Sequence, residues 1–168
     1  MAFYLSSLLF LNVMAKVDEL DLQLIQHLRR DGRRSFREIA EELNVAEGTV
    51  YNRVTKLREQ GVIRNFIVDV DYAKLGYDLT VIIGVIGSGG HLSEIEKKIS
   101  TEKNVSAVYD VTGEYDAVVI AKLQDRDALN KLVKKINGLE NVERTYTMVV
   151  LNVIKEQHGI ELHEQQKD

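Results

Sequence analysis

Apolar positions recur at helical spacing in the first third of the chain and at strand spacing beyond residue 61. Leu20, Leu24 and Leu28 lie four apart, with Ile25 widening the stripe, which predicts a helix over about 19–30. Asp18 stands at its N-cap position and Gly32 beyond its end. Ser35 and Glu38 form an S-x-x-E capping box, in which each side chain satisfies an orphan backbone N–H of a second helix. Phe36, Ile39, Ala40 and Leu43 form that helix's inward stripe. After a short turn at Asn44 and Val45, a third helix is predicted over about 46–60. Val50, Val54 and Leu57 point inward from it, and Gly61 suits the C′ position.

The period then changes. Residues 62–70 alternate and read as a strand, and 71–76 read as a turn or short helix. From 79 the chain predicts a strand (79–87), a Gly-Ser-Gly-Gly loop, a helix (92–100) with Leu92, Ile95 and Ile99 inward, and a strand (105–112). A turn at 113–116 leads to a strand (117–123), a helix (128–137) and a long final strand (142–154). The order βαββαβ, with both helices on one face of an antiparallel sheet, is the ferredoxin-like split βαβ. The strands are apolar over consecutive residues, as in Val81-Ile82-Ile83, Val118-Val119-Ile120 and Met148-Val149-Val150-Leu151. A sheet face open to water predicts alternation instead, so the face without helices is expected to be covered by a second copy. The fold class is α+β: an N-terminal helix-turn-helix domain, winged-helix-like, joined by a strand linker to a ferredoxin-like domain. The expected divisions are an extension (1–15), the helical domain (16–64), the linker (65–77), the ferredoxin-like domain (78–156) and a charged tail (157–168) that frays from 161.

Composition narrows the picture. The 168 residues contain no cysteine, which excludes disulfides, thiolate zinc sites and cysteine nucleophiles. A cytoplasmic protein fits this usage. With no proline, turns rest on Gly, Asn, Asp and Ser, and Gly or Asn takes any position of positive φ. The net charge of -4 is unevenly spread. Residues 16–64 hold ten Lys and Arg against nine Asp and Glu, whereas residues 65–168 hold twelve against seventeen. The apolar opening, 1–13, lacks the charged start of a signal peptide and is too short to span a bilayer. It reads as a start assigned ahead of Met14, or as a short extra strand or helix, and no membrane partner is expected.

Three short helices with a tight turn before the third form the helix-turn-helix pattern. With Val50, Val54 and Leu57 inward, Glu47, Thr49, Asn52, Arg53 and Lys56 fall on the outer side or flank of the third helix. Thr and Asn can hydrogen-bond base edges, and Arg can do so in bidentate fashion. Arg33, Arg34, Lys56 and Arg58 suit phosphates, with Ser35 beside them, and Gly48 lets a backbone come close. Tyr51 has two readings: stacked on a sugar, or packed on the first helix. A plain trihelical bundle with a solvated charged face is the competing reading of the whole segment.

The motifs Asp18-Glu19-Leu20-Asp21, Asp31-Gly32-Arg33-Arg34-Ser35, Ile39-Ala40-Glu41-Glu42-Leu43 and Val54-x-x-Leu57-x-x-x-Gly61-Val62-Ile63 closely resemble the Lrp/AsnC family, the feast/famine regulatory proteins. The resemblance continues through Thr112-Gly113-Glu114-Tyr115-Asp116 and Arg144-Thr145-Tyr146-Thr147, and spans about residues 16–156. It implies a transcriptional regulator that binds double-stranded DNA through the third helix as a homodimer paired sheet to sheet. It also implies octamers, with an amino-acid effector bound where dimers meet. The family's effector loop maps onto Gly113, Glu114, Tyr115 and Asp116, with Thr145 and Thr147 on the last strand as further candidates. Backbone N–H groups near Gly113 can take an α-carboxylate, and Asp116 an α-ammonium. Gly113 can equally serve a tight hairpin turn capped by Asp116. Ala46 departs from the family pattern, in which Ser or Thr caps the recognition helix. The absent cap costs that helix up to ~1 kcal/mol, partly offset by Glu47 at the positive end of the helix dipole. An architectural DNA-wrapping protein with little sequence preference uses the same phosphate contacts and is the alternative reading.

Enzyme signatures are lacking. His27, His91, His158 and His163 are scattered, and Gly84, Gly87, Gly89 and Gly90 match no phosphate-binding spacing. No catalytic residue, metal site or cofactor is expected.

Overall fold

The computed structural model describes residues 17–157, 159, 160 and 162. The opening stretch 1–13 and most of the tail expected to fray lie outside the described residues. The chain divides into two compact units, one running to Asp69 and taking in the tail from Gln157, the other spanning Val70–Glu156.

In the first unit, α1 (Glu19–Arg30), α2 (Phe36–Glu42) and α3 (Glu47–Glu59) form a three-helix head. Two of the three starts are fastened by side chains. Asp18 accepts from the Asp21 N–H at 3.0 Å while Asp21 accepts from the Asp18 N–H at 3.1 Å. Ser35 and Glu38 make the reciprocal pair at the start of α2. Ala46, the N-cap of α3, makes no such bond. Leu24, Ile39 and Val50 are fully buried at the centre, with Leu28, Ala40 and Val54 around them. A Leu, Ile or Val buried this fully contributes about 1.5–3 kcal/mol. Asn44, at φ 53°, makes the left-handed turn between α2 and α3, and Gly61, at φ 72°, ends α3. Asp31, rather than Gly32, caps the end of α1, its N–H bonding the His27 carbonyl.

Contrary to their alternation, residues 62–70 form no strand. The chain runs on without ladder partners among the described residues, then closes a 3-10 turn at Ala73–Leu75. Alternation marks two faces, but a strand exists only where a neighbour accepts its hydrogen bonds. Ile63 packs on the head core, while Phe66, Ile67 and Val68 stay exposed.

The second unit orders β1 (Leu79–Gly87), α4 (Leu92–Ile99), β2 (Val105–Asp110), β3 (Ala117–Leu123), α5 (Arg126–Asn137) and β4 (Val142–Val149). The final strand ends at Val149, a correction to the expected 154, because its partner β1 begins at Leu79. The sheet order is β2-β3-β1-β4, with every neighbour antiparallel, as the split βαβ requires. Val81, Ile83 and Val85 of β1 and Ala117, Val119, Ala121 and Leu123 of β3 face the helices and form one core with Ile95, Ile99, Leu132 and Ile136. The opposite face carries Ile82, Val118, Ile120, Tyr109 and Met148. Tyr109 and Met148 are exposed there.

Candidate DNA interface and effector loop

The burial pattern of α3 fixes its outer surface. Val50, Val54 and Leu57 are buried, and Glu47, Gly48, Tyr51, Asn52, Lys56 and Arg58 are exposed. Thr49 and Arg53 are half-buried at the flank. Arg53 is turned back on α1, where it donates to Asp18 and, at 3.0 Å, to Asp21. The guanidinium holds the Asp18 carboxyl below its ordinary range, helped by the Asp21 N–H. Among the described residues, Asp21 is the one charged residue in the head's buried set. Its spacing of three and seven from Leu24 and Leu28 is the sequence signal that places it on the inward stripe. Tyr51 packs edge-on against Phe36 of α2, centroids 6.4 Å apart.

Arg33 projects from the α1–α2 turn and is almost wholly exposed, with Asp31 at 3.5 Å. Arg34 is instead pinned by Glu42 and by the His27 ring, Nη1 to Nδ1 2.8 Å. The Arg34 hydrogen bonds hold the Glu42 carboxyl below its usual value. Ser35 is engaged by Glu38. The head therefore presents Asn52, Lys56, Arg58 and Arg33 outward and holds Arg34 and Arg53 in ion pairs.

In the second unit, residues 111–116 form the hairpin between β2 and β3. Gly113 takes φ 126°, a conformation that an L side chain resists. Glu114 is exposed. Asp116 is fastened to β1: its N–H donates to the Val85 carbonyl at 3.0 Å, and its Oδ2 accepts from the Gly87 N–H at 2.9 Å. The Tyr115 ring lies over Gly84 and beside Tyr146, centroids 5.5 Å apart. The Arg144 guanidinium sits 4.6 Å from the Tyr146 ring centre. Thr145 and Thr147 pair with Val85 and Ile83 of β1 and so lie on the helix side of β4, Thr145 donating to Asn137 of α5 at 3.0 Å. They are not brought beside Tyr115. Gly84, Tyr146 and Arg144 are the neighbours of this loop that spacing alone did not single out.

A helical head with this outer surface, followed by a ferredoxin-like unit, defines the class of helix-turn-helix transcriptional regulators with a separate ligand-binding domain. Residues 17–58 match the model of the AsnC-type helix-turn-helix domain, and residues 80–160 that of the Lrp/AsnC ligand binding domain. The chain is 50% identical over 145 residues to an uncharacterized HTH-type transcriptional regulator of Pyrococcus abyssi, covering 86% of this chain and 99% of that one. The structure of E. coli AsnC superposes with a TM-score of 0.80 at 27% identity, covering 86% of this chain and 98% of that one. A feast or famine regulatory protein of M. tuberculosis, solved in complex with L-methionine, superposes with a TM-score of 0.77 at 23% identity over 87% of this chain and 99% of that one. The chain belongs to the Lrp/AsnC family of transcriptional regulators. No helix among the described residues is long and apolar enough to cross a membrane.

Proposed function

We propose that the chain is a cytoplasmic, sequence-specific DNA-binding regulator, working as a homodimer or larger assembly and tuned by a small amino acid. The observation that carries this reading is the outer surface of α3, where Asn52, Lys56 and Arg58 are exposed over a buried Val50, Val54 and Leu57. Asn can read adenine in the major groove, and the cations, with Arg33, can neutralise phosphates. Arg34 and Arg53 support the head through their ion pairs and act on DNA indirectly. The sheet face bearing Ile82, Ile120 and Met148 joins two copies, which places two heads on one duplex.

The effector reading rests on the Gly113–Asp116 hairpin, on the match to a ligand-binding domain and on the methionine held by a structural neighbour. The α-carboxylate of the amino acid is taken by backbone N–H groups around Gly113. The Asp116 carboxylate accepts one bond from the Gly87 N–H, and it has further lone pairs for an α-ammonium. The contact between dimers completes the site.

A mobility-shift assay tests this reading. Promoter DNA of the chain's own gene and random DNA are compared at two salt concentrations, with and without each of the twenty protein amino acids. Tighter binding to the promoter, a steep fall with salt and a shift caused by one amino acid are expected. Equal binding to both DNAs points to architectural wrapping, and binding to neither overturns the reading.

A further inference from the structure

Gly84 stands in the middle of β1, where a glycine weakens a strand and marks a close approach by another group. Its neighbours Val81, Ile83 and Val85 fill the helix side, and Gly84 belongs to the opposite face with Ile82 and Ile86. Among the described residues that face carries no helix, yet Gly84 is buried. What covers it is Tyr115. A Cβ built on Gly84 would lie 2.7–2.8 Å from three atoms of the Tyr115 ring, closer than real Cβ atoms come to a neighbour. The cross-strand partner of Gly84 is Tyr146, whose ring flanks Tyr115 at 5.5 Å. Arg144, two residues before Tyr146 on the same face, caps that ring.

The geometry points to Gly84 as the seat of the effector loop and to Tyr115 as a positioning residue rather than a ligand contact. The loop is held to β1 at three places: the Tyr115 ring on Gly84, the Asp116 N–H on Val85, and the Asp116 carboxylate on Gly87. Of the three, the first alone depends on a missing side chain. With the ring seated, Gly113 and Glu114 are carried at the tip in one conformation, and a pre-ordered loop binds without a large ordering cost. The stack also places a loop residue on the sheet face that joins two copies, so loop position and that face share one ring. This inference deepens the amino-acid reading above and, in its effector part, rests on it.

Full-length Gly84→Ala, Tyr115→Ala and the double variant test the assignment. The readouts are amide hydrogen exchange across 111–116, calorimetric titration with each of the twenty protein L-amino acids, and thermal melting. Either single change is expected to speed exchange in the loop while α1–α3 keep their protection. Any amino acid that binds the unaltered chain should bind each single variant roughly tenfold more weakly, the size of coupling usual for residues that touch. The double variant should match Tyr115→Ala alone, since the added methyl has no ring to strike. A methyl that merely disturbed β1 would instead add its effect to that of Tyr115→Ala. Unchanged loop exchange in Tyr115→Ala, or additive effects in the double variant, overturns the assignment. Tyr115→Ala keeps the test decisive if Gly84→Ala does not fold. If no amino acid binds the unaltered chain, the amino-acid reading falls, and exchange alone decides the seat.

Discussion

At the scale of single residues, the cations of the head fall into two sets, those that hold it together and those available to DNA. Arg53 neutralises Asp21, whose side chain is nearly inaccessible. Removing a partner from a buried charge is far more damaging than removing an exposed ion pair. Arg53→Ala is therefore expected to lower the stability of the head by about 2–3 kcal/mol in a denaturant titration, and Lys56→Ala to change it by less than about 0.5 kcal/mol. Carboxylates give two opposite pH effects. The Asp18 carboxyl is held below its ordinary 3.8 by Arg53. Its contribution to stability is thus present above that value and disappears as pH falls through the lowered one. Glu96 of α4 behaves in reverse. Burial first, then the nearby Asp110 charge, raises its carboxyl above 4.5, and its Oε1 is buried without a hydrogen-bond partner. The folded chain favours the protonated acid more than the unfolded chain does, so its contribution is full below pH 4.5 and withdrawn as pH rises through the raised value. Glu96→Gln should then melt above the unaltered chain at pH 7, with the gap closing on acidification. A constant gap across pH would show that the charge is not responsible.

At the scale of elements, α3 carries the proposed DNA contact and is the helix of the head whose start lacks a side-chain bond. Ala46→Ser supplies the missing acceptor and is expected to raise stability by ~1 kcal/mol, seen as a higher melting temperature with DNA affinity kept or improved. Most elements were legible in the amino-acid pattern for local reasons. Leu24, Leu28, Ile39, Val50 and Val54 repeat at helical spacing, Ser35 and Glu38 announce a helix start, and Asn44 and Gly61 supply left-handed turns in a chain without proline. What was not legible depends on partners distant in sequence. Residues 62–70 have a strand's alternation but no ladder partner among the described residues. The ion pairs of Arg53 with Asp18 and Asp21 join residues 32–35 apart, so spacing along α3 does not show them. The packing of the Tyr115 ring over Gly84 and beside Tyr146 depends on the register of β1 with β4, which sets those two residues side by side. The loop's place at the β2–β3 hairpin was visible in its glycine; the direction of its side chains was not.

At the scale of the whole molecule, a head with little net positive charge gains affinity by being doubled. Two linked heads multiply the strength of one without any new interaction, provided both reach the duplex. The helix-free sheet face is the surface proposed to do the linking. Met148→Asp, which puts a charge on that exposed face, is expected to give monomers by light scattering while the ferredoxin-like unit keeps its circular dichroism. The same variant should bind DNA far more weakly. A dimeric Met148→Asp protein would move the interface elsewhere. The outer side of α3 is the surface proposed to meet DNA. It is tested most directly by titrating promoter DNA into the unaltered chain and into the Lys56→Ala, Arg58→Ala protein over a range of salt, followed by fluorescence anisotropy. Weaker binding is predicted at unchanged melting temperature. The dependence of log affinity on log salt should also be shallower, by about one unit of slope for each phosphate that is no longer neutralised. Equal affinity and equal slope in the two proteins would contradict the claim.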